Sequence, residues 1–333
     1  MRITILGAGA WGTALAINLA IDQNSRHQIT LWTQDQNHFN ELVSQRVNRR
    51  FLPSFPLPDS VQLTSVLSAA IGTAELALIV VPIAGLRETL RAIAVCGKPV
   101  PVVLGCKGFE AQSAKLPHQI VQEEYAMVAP YGVLSGPSFA QEVAQRLPTA
   151  LTLASFEEEF CRNISTQLHT AFLRIYSSKD VIGVETGGAV KNVIAIAVGI
   201  SDGMGLGQNA RATLITRGLA EMSRLGVKLG GTIETFMGLT GMGDLMLTCT
   251  GNLSRNRQVG LMLATGKSLS DILQELGHIA EGVYTAEEVL QLGLKFNIEM
   301  PITRAVCSVL HGGVSTKTAL ETLLNRVSKI ETC

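Results

Sequence analysis

Net charge is what this chain lacks first: its 27 Lys and Arg residues are matched by 27 Asp and Glu. Bulk electrostatics therefore direct it to neither nucleic acid nor an anionic membrane surface, and recognition of an anion has to come from local basic groups. Charged residues are few, 16 % against 47 % hydrophobic, which excludes a disordered chain and describes a well-packed one. The cysteines, Cys96, Cys106, Cys161, Cys249, Cys307 and Cys333, include no C-x-x-C pair and no Cys/His cluster with zinc spacing. No metal site is expected from them, and reduced thiols in a cytoplasmic protein account for them. No segment approaches the roughly 20 uninterrupted apolar residues of a membrane span. A secretion signal is not expected either, because Gly7, Gly9 and Gly12 interrupt the apolar stretch behind Arg2. Internal repeats and low-complexity segments are missing as well.

What is present begins at residue 2. Ile3, Ile5 and Leu6 read as a buried strand, Gly7, Gly9 and Gly12 spell G-x-G-x-x-G, and Trp11 to Ile21 continues as an apolar helix. This is the dinucleotide fingerprint in the strand–turn–helix context it requires. Its first glycine makes the turn, its second lets backbone approach a pyrophosphate, and its third lets helix and strand pack closely. Further apolar strands are expected at 29–32, 76–81, 100–104, 131–134, 151–153 and 173–176, alternating with helical stretches. That alternation implies an α/β N-terminal domain with a Rossmann-like, doubly wound parallel sheet. From about residue 183 the strand pattern fades, and 189–200, 208–225 and 285–292 read as helices. With 333 residues, two domains are expected: a dinucleotide-binding domain over 1–180 and an all-α substrate domain over 181–333. The glycine-rich stretches 199–207 and 238–251 read as loops.

Three places carry candidate chemistry. Lys191 is the only charged residue between Ala189 and Ile200, on a helix apolar almost all round. Desolvation there disfavours the ammonium and makes the side chain a candidate general acid or base. A lysine whose stem packs while its amine reaches water remains open. Lys107 follows the strand at 100–104 in a Cys-Lys-Gly turn, where it serves either a phosphate or carbonyl oxygen, or only solvent. Ser254 can cap the helix that follows it, placing Arg255 and Asn256 in a first turn that favours an anion. A capping serine, a guanidinium fork and an amide make a phosphate clamp. Asp244, in a glycine turn, orients a lysine, accepts from a substrate hydroxyl, or simply forms the turn.

The segments GAGAWGTALA (7–16), CKGFE (106–110), SGPSFA (135–140), GGAVKNVIA (187–195) and SDGMG (201–205) stand in a specific order. They are followed by NAR (209–211), TRGLAEM (216–222), GMGDL (241–245), SRNR (254–257), AEG (280–282) and MPIT (300–303). In this set, which spans nearly the whole chain, the sequence resembles the bacterial NAD(P)-dependent glycerol-3-phosphate dehydrogenases. The resemblance implies reversible reduction of dihydroxyacetone phosphate to sn-glycerol 3-phosphate with NAD(P)H, for phospholipid synthesis. It places Lys191 at the family's catalytic lysine and Lys107 at a lysine touching both substrate and cofactor. It makes Gly136, Ser138, Asp244, Ser254, Arg255 and Asn256 substrate positions, with Asp244 also part of the catalytic group. It makes Ala10, Trp11, Gln34, Ala140, Ile279 and Glu281 cofactor positions beside Gly7, Gly9 and Gly12, and Arg255 reaches the cofactor too. Ala10 departs from the serine common in the family, which removes one hydroxyl contact to the pyrophosphate.

The implied partner is a small phosphorylated triose; a homodimer is left open by the sequence. Two other readings compete: a β-hydroxyacid or ketopantoate-type reductase on the same two-domain plan, and a non-catalytic NAD(P)-sensing protein. Cofactor preference leans to acceptance of NADPH. The end of the second strand carries Trp32-Thr33-Gln34, with Asp35 one step late to claim a ribose 2′-OH, and Arg49 or Arg50 near enough for a 2′-phosphate.

Overall fold

Ile3 to Leu6 are fully buried and form the middle of an eight-stranded sheet. The computed structural model describes residues 1–22, 27–125, 129–277 and 280–327. It divides into two compact units, Met1–Cys106 with Pro117–Val181, and Lys107–Leu116 with Ile182–Cys333.

In the first unit the order is β1 (Arg2–Leu6), α1 (Ala10–Ile21), β2 (Gln28–Trp32), α2 (Gln36–Gln45), β3 (Gln62–Thr64), α3 (Leu67–Gly72), β4 (Leu76–Ile79) and α4 (Ile83–Val95). There follow β5 (Val102–Leu104), α5 (Pro117–Glu124), β6 (Tyr131–Ser135), α6 (Ala140–Ala144), β7 (Thr149–Ala154), α7 (Glu158–Leu168) and β8 (Leu173–Ser178). The sheet order is β3-β2-β1-β4-β5-β6-β7-β8, so the strand sequence reverses direction between β1 and β4. In open α/β sheets ligands bind beyond the carboxyl ends of the strands at such a reversal. β4 and β5 are buried at every residue, as strands covered on both faces must be.

The sheet is parallel except where β7 runs antiparallel to β6. Between these strands lies only the five-residue α6, which packs against α1 instead of spanning the sheet as a covering helix. The chain therefore re-enters the sheet reversed. β3 escapes notice in the sequence because Gln62-Leu-Thr is a short edge strand with no apolar run.

The second unit contains α8 (Val181–Gly203), α9 (Gly207–Leu229), α10 (Ile233–Met237), a π-helical turn (Leu239–Gly243) and α11 (Asp244–Thr250). It continues with α12 (Arg255–Ala264), α13 (Leu269–Leu276), α14 (Glu281–Lys295), α15 (Pro301–Leu310) and α16 (Thr316–Leu324). Its described residues include no named strand. α8 is the central helix, with Ala189, Val190 and Val193 to Val198 buried. Among the described helices it is the one long and apolar enough to cross a membrane, and 89 % of that apolar window is buried inside the fold.

The two stretches expected as loops are mostly helical. α8 runs through to Gly203 and α9 starts at Gly207, while 239–250 is one π turn followed by α11. The glycines there serve close approach between elements. A Cβ on Gly199 would lie 2.1 Å from the carbonyl oxygen of Arg257, and one on Gly187 would lie 2.6 Å from that of Thr240. Glycine at these positions lets α12 and the π turn settle directly on the backbone of α8.

Candidate active site

The turn after β1 fits the pyrophosphate of a dinucleotide. Gly7 has φ +116°, and its N–H donates to the Trp32 carbonyl at 3.1 Å. A Cβ on Gly12 would lie 1.9 Å from the Gly7 oxygen, so only glycine lets α1 start this close to β1. Gly9 is the N-cap of α1 and no side chain caps that helix. A Cβ on Gly9 would meet nothing within 4 Å. This is a cradle of uncapped N–H groups with room in front of it, the feature an anion requires. Gly9→Ala is therefore expected to leave the melting temperature unchanged while weakening dinucleotide binding at least tenfold, measured by titration calorimetry; equal affinity would place the anion elsewhere.

Around that turn, Ala10 is the first residue of α1, and the Trp11 ring approaches Gly105, just beyond β5. Gln34 is exposed, following β2. Gly136 follows β6 with φ +135°, Ser138 Oγ donates to the Gly136 carbonyl at 3.0 Å, and Ala140 opens α6. Ile279 lies outside the described residues.

In the second unit the chain brings Lys107, Lys191 and Asp244 together. Lys191 Nζ donates to Asp244 Oδ1 at 2.5 Å and to Thr248 Oγ1 at 3.0 Å. Lys107 Nζ donates to the other carboxylate oxygen, Oδ2, at 2.7 Å. Thr248 Oγ1 in turn donates to the Asp244 carbonyl at 2.6 Å, which fixes its lone pairs as acceptors for Lys191. Asp244 is 1 % exposed and Lys191 7 %. Three local devices build this arrangement. The π turn and the glycine contact at Gly187 set the start of α11 against α8. Thr248 stands one helical turn after Asp244 and so shares its face. Phe109 and Leu116, both buried in the core of the second unit, anchor the segment that begins at Lys107.

The electrostatics follow from one carboxylate serving two ammoniums. Burial drives the Lys191 ammonium down from its ordinary value to about 8; attraction to Asp244 opposes the shift and repulsion by Lys107 adds to it. Burial alone would raise Asp244, but Lys107 and then Lys191 outweigh it and hold the carboxyl below its ordinary value. The group thus carries one positive charge in excess. Loss of a proton from Lys191 leaves Lys107 and Asp244 as a balanced pair. Cys249, fully buried nearby, is pushed up to about 12 by burial and stays an inert thiol at neutral pH.

One residue beyond Lys191, Asn192 Oδ1 accepts from Asn256 Nδ2 at 3.0 Å, while Asn256 Oδ1 accepts from the N–H of Gly282 at 3.0 Å. The Asn256 amide thus ties α12 to α8 and to the first turn of α14, where Glu281 stands. Ser254 caps α12 through the N–H of Arg257 at 3.2 Å, and Arg255 is exposed at the first helical position. Among the described residues Arg255 forms no salt bridge. Thr248 is the member of this site that the sequence reading missed; its spacing of four from Asp244 was the available signal.

Comparison with known proteins gives the family. Residues 2–161 match the family described as NAD-dependent glycerol-3-phosphate dehydrogenase N-terminus, and residues 180–321 match its C-terminus. The chain is 67 % identical over 331 residues to the glycerol-3-phosphate dehydrogenase [NAD(P)+] of Nitrosospira multiformis, covering 99 % of both chains. It is 58 % identical over 332 residues to that of Nitrosomonas eutropha, with 100 % of each covered. The crystal structure of glycerol-3-phosphate dehydrogenase from Coxiella burnetii superimposes with a TM-score of 0.93 at 42 % identity, covering 98 % of this chain and 99 % of that one. The chain belongs to the NAD-dependent glycerol-3-phosphate dehydrogenase family.

Proposed function

We propose that this chain reduces dihydroxyacetone phosphate to sn-glycerol 3-phosphate, reversibly, with NAD(P)H, and so supplies glycerol phosphate for phospholipid synthesis in the cytoplasm. The observation that carries the reading is the buried Lys191–Asp244–Lys107 group, which holds one dischargeable proton in a field of excess positive charge. When bound, NAD(P)H supplies the hydride taken up by the ketone carbon. As negative charge grows on the carbonyl oxygen, Lys191 gives it a proton, and Lys107 keeps positive potential beside it. Asp244 holds both ammoniums in place and remains paired with Lys107 once Lys191 is neutral. In the reverse direction neutral Lys191 takes the hydroxyl proton. Ser254, Arg255 and Asn256 grip the phosphate, whose binding energy positions the reacting carbon.

The direct test is loss of NADPH absorbance on adding dihydroxyacetone phosphate, run beside ketopantoate and β-ketoacids. Turnover confined to the triose phosphate is expected; preference for a carboxylate substrate would favour the ketopantoate-type reductase, and no turnover a sensor.

Cofactor choice rests on Asp35. Its Oδ1 accepts from the N–H groups of Asn37 at 2.9 Å and His38 at 3.1 Å, capping α2, while its Oδ2 pairs with Arg50 at 2.9 Å. A carboxylate so engaged repels a 2′-phosphate less; Arg50 is also held by Glu41 Oε1 at 2.6 Å and Oε2 at 2.8 Å, which leaves the exposed Arg49 as the cation for that phosphate. NADPH is expected to give a kcat/KM at least equal to that of NADH; a marked NADH preference would overturn this.

A further inference from the structure

The first turn of α12 is built against its own electrostatics. Arg255 and Arg257 both occupy it, although the free N–H groups there disfavour cations. Asp202 lies in the last turn of α8, where free carbonyls disfavour a carboxylate. These two misfits meet. Asp202 Oδ2 accepts from Arg257 Nε at 2.8 Å and lies 2.7 Å from Nη2, so one oxygen is held by two arms of the guanidinium. Its Oδ1 accepts from Arg211 Nε at 2.8 Å. Arg257 Nη1 donates to Asn252 Oδ1 at 3.2 Å, in the segment leading into α12. The side chains of Asp202 and Arg257 are only 6 % and 10 % exposed.

Backbone contact removes any slack around this fork. A Cβ on Gly260 would lie 2.1 Å from the Ile196 oxygen, and Gly199 approaches the Arg257 carbonyl equally closely. α8 and α12 are therefore at contact distance, and the direction of the Ser254–Asn256 turn is set by the groups that pin it. Asn256 supplies one pin, through Asn192 and the N–H of Gly282. The other is the Asp202–Arg257 fork.

We infer that Asp202 is the positioning residue of the anion-binding turn: by pairing with Arg257 and fixing it to α8, it orients Ser254 and leaves Arg255 as the turn's cation for a phosphate. This rests on the phosphate-gripping reading given above for Ser254, Arg255 and Asn256. The fork requires a planar donor, which a lysine at 257 cannot reproduce.

Asp202→Asn tests it in the full-length enzyme. The KM for dihydroxyacetone phosphate is expected to rise at least tenfold, and the inhibition constant of inorganic phosphate to rise in parallel. kcat is expected to stay within about threefold, and the dissociation constant for NADPH alone to stay unchanged. Arg257→Lys is expected to give the same split and carries the test if Asp202→Asn does not fold, and Arg257→Gln should be no milder. An unchanged KM, a fall in kcat at constant KM, or a parallel loss of NADPH affinity would each overturn the assignment. Failure of the wild-type enzyme to use dihydroxyacetone phosphate would instead strike the proposed function, so the two failures are distinguishable.

Discussion

Lys191→Met should lower turnover by about three orders of magnitude while dinucleotide affinity stays within a factor of about three. Lys191 is 7 % exposed on a helix with apolar neighbours, and methionine matches its stem in length and adds no charge. Nothing in the β1–α1 turn depends on it, so a large loss of kcat with retained binding isolates the proton-transfer step. Lys191→Arg should be equally inactive, because a guanidinium keeps its proton at any working pH. The pH profile gives an independent reading. Reduction needs the ammonium, so its rate should fall as pH rises through about 8, the value to which burial brings Lys191. Oxidation needs the free amine and should rise through the same pH. Stability carries the matching signature. A lysine whose folded value lies below its unfolded one costs the fold stability at neutral pH. That cost is relieved as pH rises from about 8 towards the ordinary lysine value of 10.5. Lys191→Met should abolish this rise, so the melting temperature of the variant should change less than that of the wild type between pH 7 and 9. A variant that loses dinucleotide binding and turnover together would mark Lys191 as structural.

How much of this site could be read in advance divides along a physical line. Features carried by local order were legible: the strand, Gly7, Gly9 and Gly12, and the helix after them state a phosphate turn within about a dozen residues. Lys191 stood out because a single charge in an apolar helix is a local anomaly. What could not be read is pairing across sequence distance. Asp244 is 53 residues from Lys191 and 137 from Lys107, and its glycine neighbours leave open whether it orients a lysine, accepts from a substrate hydroxyl or forms the turn. The glycines of 238–251 carry a loop signature although they form a π turn, because composition does not distinguish a flexible loop from a π turn pressed against a neighbouring helix. The segment Lys107–Leu116 follows a strand of the sheet yet packs in the helical unit, an allegiance decided by where Phe109 and Leu116 find their core.

The second large effect is expected at Asp244. Asp244→Asn is nearly isosteric but leaves two ammoniums facing each other without the charge that holds them. Removing one partner of a buried charge group costs about 3–5 kcal/mol, because the remaining charges stay buried and unpaired. The cost should depend on pH in a defined direction. The wild-type carboxyl is held below its ordinary value in the folded state, so its stabilisation is present above the unfolded value and disappears as pH falls through the folded one. The melting temperatures of wild type and variant should therefore converge in acid. Activity should fall by at least about 100-fold at pH 8. The Lys191 ammonium, deprived of Asp244 and still repelled by Lys107, should lose its proton at lower pH than in the wild type, moving the alkaline limb of the reduction profile towards acid. A merely structural aspartate would lower the profile without moving that limb. Adding Lys107→Met to Asp244→Asn removes the repulsion along with the missing attraction. The double variant should therefore be more stable than the single one, with its limb moved part of the way back. A double variant no more stable than Asp244→Asn would mean that the two lysines do not feel each other through the carboxylate, and the shared-charge account of this site would fail.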